Sequence, residues 1–535
     1  MNFNFNDYPY PSKRRVVFSK NGMIASSNPY TVLAGQKILM KGGNAIDAAL
    51  ACGISMPVCE PTSNGLGSDL FAIISFNNKL YGLNSSGRSP KNISLEKLKN
   101  RGYKDIPKYG ADSVTTPGAV GGWFELHKKF GKISLEEIFE PALEYAEEGF
   151  ALSAKVADLW EREVKKYMGL KNIPGLDEFF KTFTLDGKAP KAGDIVKNKY
   201  LFKTLEEILK TRGESFYKGG LAEKVSKTIG NLGGFLNKDD LEDFRTSWVH
   251  PISINYRGYD IWEMPPNGHG IIVLMALNIL KNFELTNRED SKTIHRIIEA
   301  IKLAMADGAE FISDPKSMKY KIEDLLSEDY GSLRAREIGK DSIFARAGLP
   351  ANPSTVYMAA SDRDGNMISL IQSNYDGFGS GIVVKDTGIS LNNRLANFSF
   401  KENHVNTLEG GKLPYHTIIP GFITKDARPL GPFGIMGAFM QPQAHVEVIT
   451  NLIDFSLNPQ VALDAPRFMW TGDKNVEIEV DFSEKIIDDL KNRGHKIILK
   501  NDYTNMGRGQ IILRNKNGVY FAGTEKRTDG FIGIY

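Results

Sequence analysis

Cysteine is almost missing from this chain: Cys52 and Cys59 are the only two, seven positions apart with an apolar run between them. That spacing fits neither a C-x-x-C redox pair nor a zinc knuckle, so both are expected as buried thiols, one in a helix and one in the loop after it. A surplus of either charge is missing too. Lysine and arginine number 67 against 64 aspartates and glutamates, and a net charge of +3 is too small to hold nucleic acid or an anionic membrane surface. No segment approaches the roughly 18 consecutive apolar residues that span a bilayer, and the polar, aromatic start M-N-F-N-F-N-D-Y lacks the apolar stretch of a secretory signal. A cytoplasmic protein with neither membrane nor nucleic-acid partners is the expectation. The eight histidines contain no H-E-x-x-H and no visible ligand cluster, so no metal or cofactor is expected, and no G-x-S-x-G elbow occurs.

What is present is ordinary globular material, 41% hydrophobic and 24% charged, long enough for roughly two to four domains or one large fold with interdependent halves. Residues 15 to 90 alternate short strand patterns with one strong helix signal, Asn44 capping A-I-D-A-A-L-A-C-G-I. Ser134 opens a capping box with Glu137, followed by apolar positions at helical spacing. Further helices with lysine-rich outer faces are expected from 150 to 235, a short one at Asp239 to Glu242, and long ones from about Ile271 to Leu280 and Ser291 to Ile312. From Tyr330 to Pro353 periodicity fades and an exposed loop is expected. Strands follow at Val356 to Ala360, Met367 to Gln372 and Gly381 to Val384, then a helix from about Gln443 to Ile453 and strands near 496 to 499 and 510 to 514. The glycine-rich stretches at 376 to 381 and 64 to 69 lack the strand-to-helix setting of a phosphate cradle and read as turns or packing loops. His445 reads as a satisfied helix residue, and it and His416 are the two histidines expected near the site.

The stretch that carries chemistry begins at Ser354: S-T-V-Y-M-A-A-S, a D-R-D-G-N turn, a second strand and a glycine-rich loop. A threonine heading a strand is usually structural. Here the surrounding pattern is how an N-terminal nucleophile hydrolase presents its catalytic hydroxyl. A threonine hydroxyl needs a base, and none is offered in sequence. If the Ser354–Thr355 bond is cut, Thr355 gains an α-amino group with an unperturbed pKa of about 7.7 to 8.0, able to accept the hydroxyl proton. The same hydroxyl can make the cut by an N-to-O acyl shift. Ser373, on the next strand, is the candidate to hold the nucleophile's rotamer.

This segment resembles the catalytic segment of the γ-glutamyltranspeptidase family, T-T-H-Y-S-V-V-D-K-D-G-N followed by F-G-T-G-I-V and L-L-N-N-Q-M-D-D-F-S. The likeness continues in order through G-G-N-A-I-D-A-A, T-P-G-A-V-G-G-W at 116 to 123, P-A-L-E-Y-A-E-E-G-F at 141 to 150, P-P-N-G-H-G at 265 to 270 and N-P-Q-V-A-L-D-A-P-R-F at 458 to 468. The resemblance implies an α/β fold, a four-layer αββα sandwich with additional helices in the first half. It implies a precursor cut into a large piece, 1–354, and a small catalytic piece, 355–535, that remain one heterodimeric fold, alone or as a dimer of heterodimers. It also implies an acyl-enzyme on Thr355, attacked by water or an amine.

The departures fall in the substrate pocket. Arg394 and Asn397 stand where the family carries Gln or Glu and then Asp, the positions that hold the α-amino group of a γ-glutamyl moiety. The arginine used for the α-carboxylate lacks a direct counterpart: in S-S-G-R-S-P, Arg88 comes two places late and Ser86 is in register. A Ser-Ser pair becomes His416-Thr417, Tyr375 joins the substrate-binding candidates, and the Gly-Gly oxyanion loop becomes Met440-Gln441, whose backbone N–H groups can still serve. An Arg facing an ammonium 4 Å away costs about 4 kcal/mol at an effective dielectric of 20, so the pocket is expected to suit an acyl group ending in a carboxylate, such as glutaryl. The expected substrate is thus a small-molecule amide, glutathione-like or glutaryl-like. A degenerate, unprocessed scaffold is the non-enzymatic alternative.

Overall fold

The computed structural model describes residues 1, 4, 9, 10, 14–345 and 354–535. Two seven-stranded antiparallel sheets lie face to face. In spatial order the first runs Val17–Ser19, Tyr520–Thr524, Arg508–Arg514, Arg428–Met436, Gly421–Lys425, Tyr259–Glu263 and Ile252–Tyr256. The second runs Phe531–Ile534, Met23–Ser26, Ser354–Ser361, Met367–Tyr375, Asp69–Phe76, Lys79–Ser85 and Ser247–Val249. Both sheets therefore draw strands from either side of the Ser354–Thr355 bond.

Alternation along the central strands builds the layers. Val356, Met358 and Ala360 join the core shared with the helices Pro29–Met40 and Ala45–Cys59, while Tyr357 and Ala359 enter the core between the sheets with Met23, Phe71, Phe422 and Ile512. The sheets come so close that a Cβ on Gly434 would lie 2.3 Å from the Tyr357 ring. Helices Gly270–Leu280, Ser291–Phe311 and Met440–Ile453 cover the outer face of the first sheet. The order is helix, sheet, sheet, helix.

Several local signals act as read. Asn44 accepts from Ile46 and Asp47 N–H in a capping box, and Ser134 and Glu137 form another. Cys52 and Cys59 are buried and free, but both lie in the helix, which runs on through Pro57 with every one of its residues buried. The expected loop from Tyr330 is corrected at its start: Ser327 caps a helix, Glu328–Ala335. Its end, 346–353, lies outside the described residues. Gly381 to Val384 is no strand, since Val383 makes only an isolated bridge to Ser390.

One buried ionic network ties the C-terminus to the rest. Arg527 reaches Glu479 at 2.6 Å and Glu525 at 2.7 Å, and Arg467 reaches Glu525 at 2.8 Å, all essentially without solvent. Arg527→Ala leaves two buried carboxylates short of their cation and is expected to destabilise the fold by about 3 to 5 kcal/mol. Thermal unfolding checks this; an unmoved midpoint would mean Arg467 suffices alone.

Candidate active site

Thr355 sits where the ladder between Ser354–Ser361 and Met367–Tyr375 slips, Ser354 pairing with Tyr375 and Val356 with Gln372. Such bulges re-aim a side chain. Thr355 is 1% exposed, and its Oγ1 donates to Ser373 Oγ at 3.2 Å. Ser373 Oγ also accepts from Tyr375 N–H at 2.8 Å, which fixes its own position. Gln441 Nε2 points at Thr355 Oγ1 from 3.5 Å, while its Oε1 accepts from Ile419 N–H. The nucleophile candidate is thus held from its own sheet by Ser373 and from across the sandwich by the helix Met440–Ile453. The N–H groups of Met440 and Gln441 lie at the positive end of this helix and donate to Gly437 and Ala438 carbonyls at 2.9 and 3.0 Å.

The turn after Tyr375 is clamped by the first part of the chain. Tyr375 has φ +82°, a left-handed conformation costly for an aromatic residue. It persists because Asp376 is held by Lys108 at 3.1 Å and Tyr109 at 2.6 Å, and because Tyr167 donates to the carbonyls of Gly377 and Gly379. Asn392 bonds Gly67 and Thr115, Asn393 bonds Lys108, and this pair delivers Arg394 at the start of a short turn, Arg394–Asn397.

Arg394 is fully buried over the Tyr375 ring, 4.8 Å from its centroid, and donates through Nη1 to Thr417 Oγ1 at 2.7 Å. Its Nε and Nη2 make no hydrogen bond among the described residues. Nε lies 3.7 Å from Asp69 Oδ2, an acid that sequence reasoning missed. Asp69 ends the glycine-rich loop read as packing, and the loop does pack, Gly67 bonding the Ser390 carbonyl. Burial pushes the Asp69 carboxyl up to about 7, against the pull of Arg394 and the Gly87 and Gly118 N–H groups. Burial lowers Arg394 to about 10, opposed by Asp69 and Tyr375. His416 is held neutral by burial and then by Arg394; its Nε2–H donates to Asp69 Oδ2 at 3.0 Å and its Nδ1 accepts from Ile418 N–H.

A cavity of about 510 Å³ opens beside this group, walled by Tyr375, Asn397, Phe398, Tyr415 and Phe439, with Met305 opposite. Neither polar atom of the Asn397 amide has a partner among the described residues. Thr355, Ser373, Gln441, Tyr375, Arg394, His416 and Thr417 are thus brought together. Arg88 is not: its guanidinium pairs with Asp314 at 2.9 Å and with the Gly411 carbonyl, half exposed. Ser86 turns to Asn84. His269 joins the two histidines expected nearby, its N–H bonding the His416 carbonyl, while His445 is satisfied by Glu263 and Ile435 N–H. A buried cluster of metal-ligand type, His295, Glu299 and His495, escaped sequence reading because His495 is 200 residues from His295. The ammonium of Lys302 donates to Glu299 at 2.8 Å and supplies the cation there.

The doubled antiparallel sheet between helix layers, with a hydroxyl at a central strand's head, defines an N-terminal nucleophile hydrolase fold. The chain belongs to the gamma-glutamyltranspeptidase family, whose model matches residues 31–535. It is 36% identical over 527 residues to the glutathione hydrolase-like YwrD proenzyme of Bacillus subtilis, covering 96% of this chain and 98% of that one. With the glutathione hydrolase proenzyme of Escherichia coli it shares 30% identity, over 96% of this chain and 91% of that protein. The solved cephalosporin acylase from Bacillus halodurans superposes with a TM-score of 0.95 at 47% identity, covering 100% of this chain and 99% of that one. Among the described residues no helix is long and apolar enough to cross a membrane.

Proposed function

We propose that the chain is a proenzyme that cuts itself before Thr355 and then cleaves small-molecule amides through an acyl-enzyme on that residue. The observation that carries this is the Thr355–Ser373 hydroxyl pair at the bulge, facing Gln441. In the first reaction Thr355 Oγ attacks the Ser354 carbonyl carbon and the peptide C–N bond breaks, leaving an ester and a free amine. Water then cleaves the ester, returning the hydroxyl. Pieces 1–354 and 355–535 stay together because both sheets need strands from each.

In turnover the new amine takes the Thr355 hydroxyl proton as Oγ attacks the amide carbon, then gives it to the leaving amine. Water or an amine, deprotonated by the same group, releases the acyl chain. Gln441 Nε2 is the donor for the oxyanion, backed by the positive end of the helix Met440–Ile453; the Met440 and Gln441 N–H groups expected to serve there are instead bonded to the Gly437 and Ala438 carbonyls.

The acylase form of this reading is favoured at the acyl end. Arg394 keeps two uncommitted donors and Asn397 an unpartnered amide, whereas the carboxylate nearest to them, Asp69, is taken up by Gly87 and His416. An acyl carboxylate would meet those donors as charge-assisted bonds; a γ-glutamyl ammonium would meet a cation. The likeness to a cephalosporin acylase supports the same direction. Hydrolysis of glutaryl and γ-glutamyl anilides by the purified protein tests it. At least a ten-fold higher kcat/KM on the glutaryl compound is expected, and preference for γ-glutamyl would sink the carboxylate pocket while leaving Thr355 chemistry standing.

A further inference from the structure

Behind the cavity wall formed by Tyr375, Arg394 has a counter-ion held at arm's length. Asp69 Oδ1 accepts from Gly87 N–H at 3.2 Å and Oδ2 from His416 at 3.0 Å, and its backbone is locked in register with Ser373. Arg394 Nε stands 3.7 Å from Oδ2, beyond hydrogen-bond reach, and all three side chains are fully buried. A buried guanidinium with no anion nearby is costly, and one locked in a bidentate pair has its best-placed donors already engaged. This arrangement avoids both.

Resting on the carboxylate-pocket reading above, we propose that Asp69 is the specificity-determining counter-ion of the acyl pocket. Held back by Gly87 and His416, it compensates Arg394 without occupying it, and its own negative charge sets how strongly an acyl carboxylate is bound.

The sign follows from which neighbours carry charge. His416 and His269 are held neutral by burial; the phenols of Tyr217, Tyr375 and Tyr415 are pushed further up by it; Arg394 stays cationic. Asp69, raised to about 7, is therefore the group beside Arg394 that changes charge near neutrality, while His404, which lines the cavity, is lowered by burial. Below that pH it is neutral and an incoming carboxylate meets an uncompensated Arg394. Above it, the carboxylate must approach a second anion.

The test compares binding of glutarate and pentanoate to the mature protein by thermal-shift titration between pH 6 and pH 8.5. The two acids share the carboxylate that faces Thr355, so the ratio of their affinities reports the distal carboxylate and cancels titration of the Thr355 amine. In the wild-type chain glutarate's advantage is expected to fall about ten-fold across this range. In Asp69→Asn it should become independent of pH and at least match the wild-type value at pH 6. A damaged scaffold would not tighten binding. Should Asp69→Asn fail to fold, His416→Leu frees Asp69 to close on Arg394 and should weaken glutarate at pH 8.5 but not at pH 6, with His416→Gln restoring it. A wild-type advantage that does not change with pH, or a smaller one in Asp69→Asn, overturns the role of Asp69. No advantage for glutarate at any pH overturns the carboxylate pocket beneath it.

Discussion

Thr355→Ala is expected to run as one band on a denaturing gel and to have no measurable amide hydrolysis, a loss of at least about 10⁴-fold. The wild-type protein should show fragments of about 39 and about 20 kDa, prorated by residue count, the smaller beginning T-V-Y-M-A. The magnitude follows from one residue serving twice. Without its hydroxyl there is no attack on the Ser354 carbonyl, so no amine is released, and neither nucleophile nor base is available for turnover. Loss of Ser373 or Gln441 would instead misplace a hydroxyl that remains. Thr355→Ser sharpens the test, since it keeps the hydroxyl and should still process slowly. A wild-type chain that never splits while retaining its fold would favour the scaffold alternative, and a Thr355→Ala chain that splits would place the nucleophile elsewhere.

The parts legible in the sequence were those whose partners lie close along the chain. Asn44 and Ser134 cap helices through residues two and three positions on. Thr355 and Ser373 are 18 apart on one hairpin, so alternation and the D-R-D-G-N turn bring them together. Arg394 was legible as a departure from a family pattern, but its surroundings were not. Asp69 lies 347 residues from His416, and the glycine-rich loop before it reads as packing, which it also is. Arg88 drew attention by its neighbours in sequence, yet Asp314 claims it. The helix Glu328–Ala335 was missed although Ser327 and the acids after it form a readable N-terminus, because Gly331 weakens the periodic signal.

Arg394→Gln is expected to lower kcat/KM on a glutaryl anilide by about 100-fold, and to lower it far less on a pentanoyl anilide, the same chain without the carboxylate. Two charge-assisted bonds made by a buried guanidinium are together worth about 3 kcal/mol, which sets that factor. Gln keeps one donor for Thr417 and roughly fills the space over Tyr375, so the change removes charge more than shape. The orphaned Asp69 need not stay ionised: with Arg394 gone, burial raises it further and it takes up a proton, which limits the cost to the fold. Arg394→Lys should rescue little, because an ammonium cannot hold Thr417 and a carboxylate with the same planar fork. If both anilides suffer alike, Arg394 is a strut for Tyr375 and Thr417, and the acyl group is selected by Asn397 and the aromatic wall of the cavity. A glutaryl-specific loss, by contrast, points to recognition of the distal carboxylate by Arg394, because the two substrates differ only in bearing that carboxylate or a methyl group at the end of the same chain.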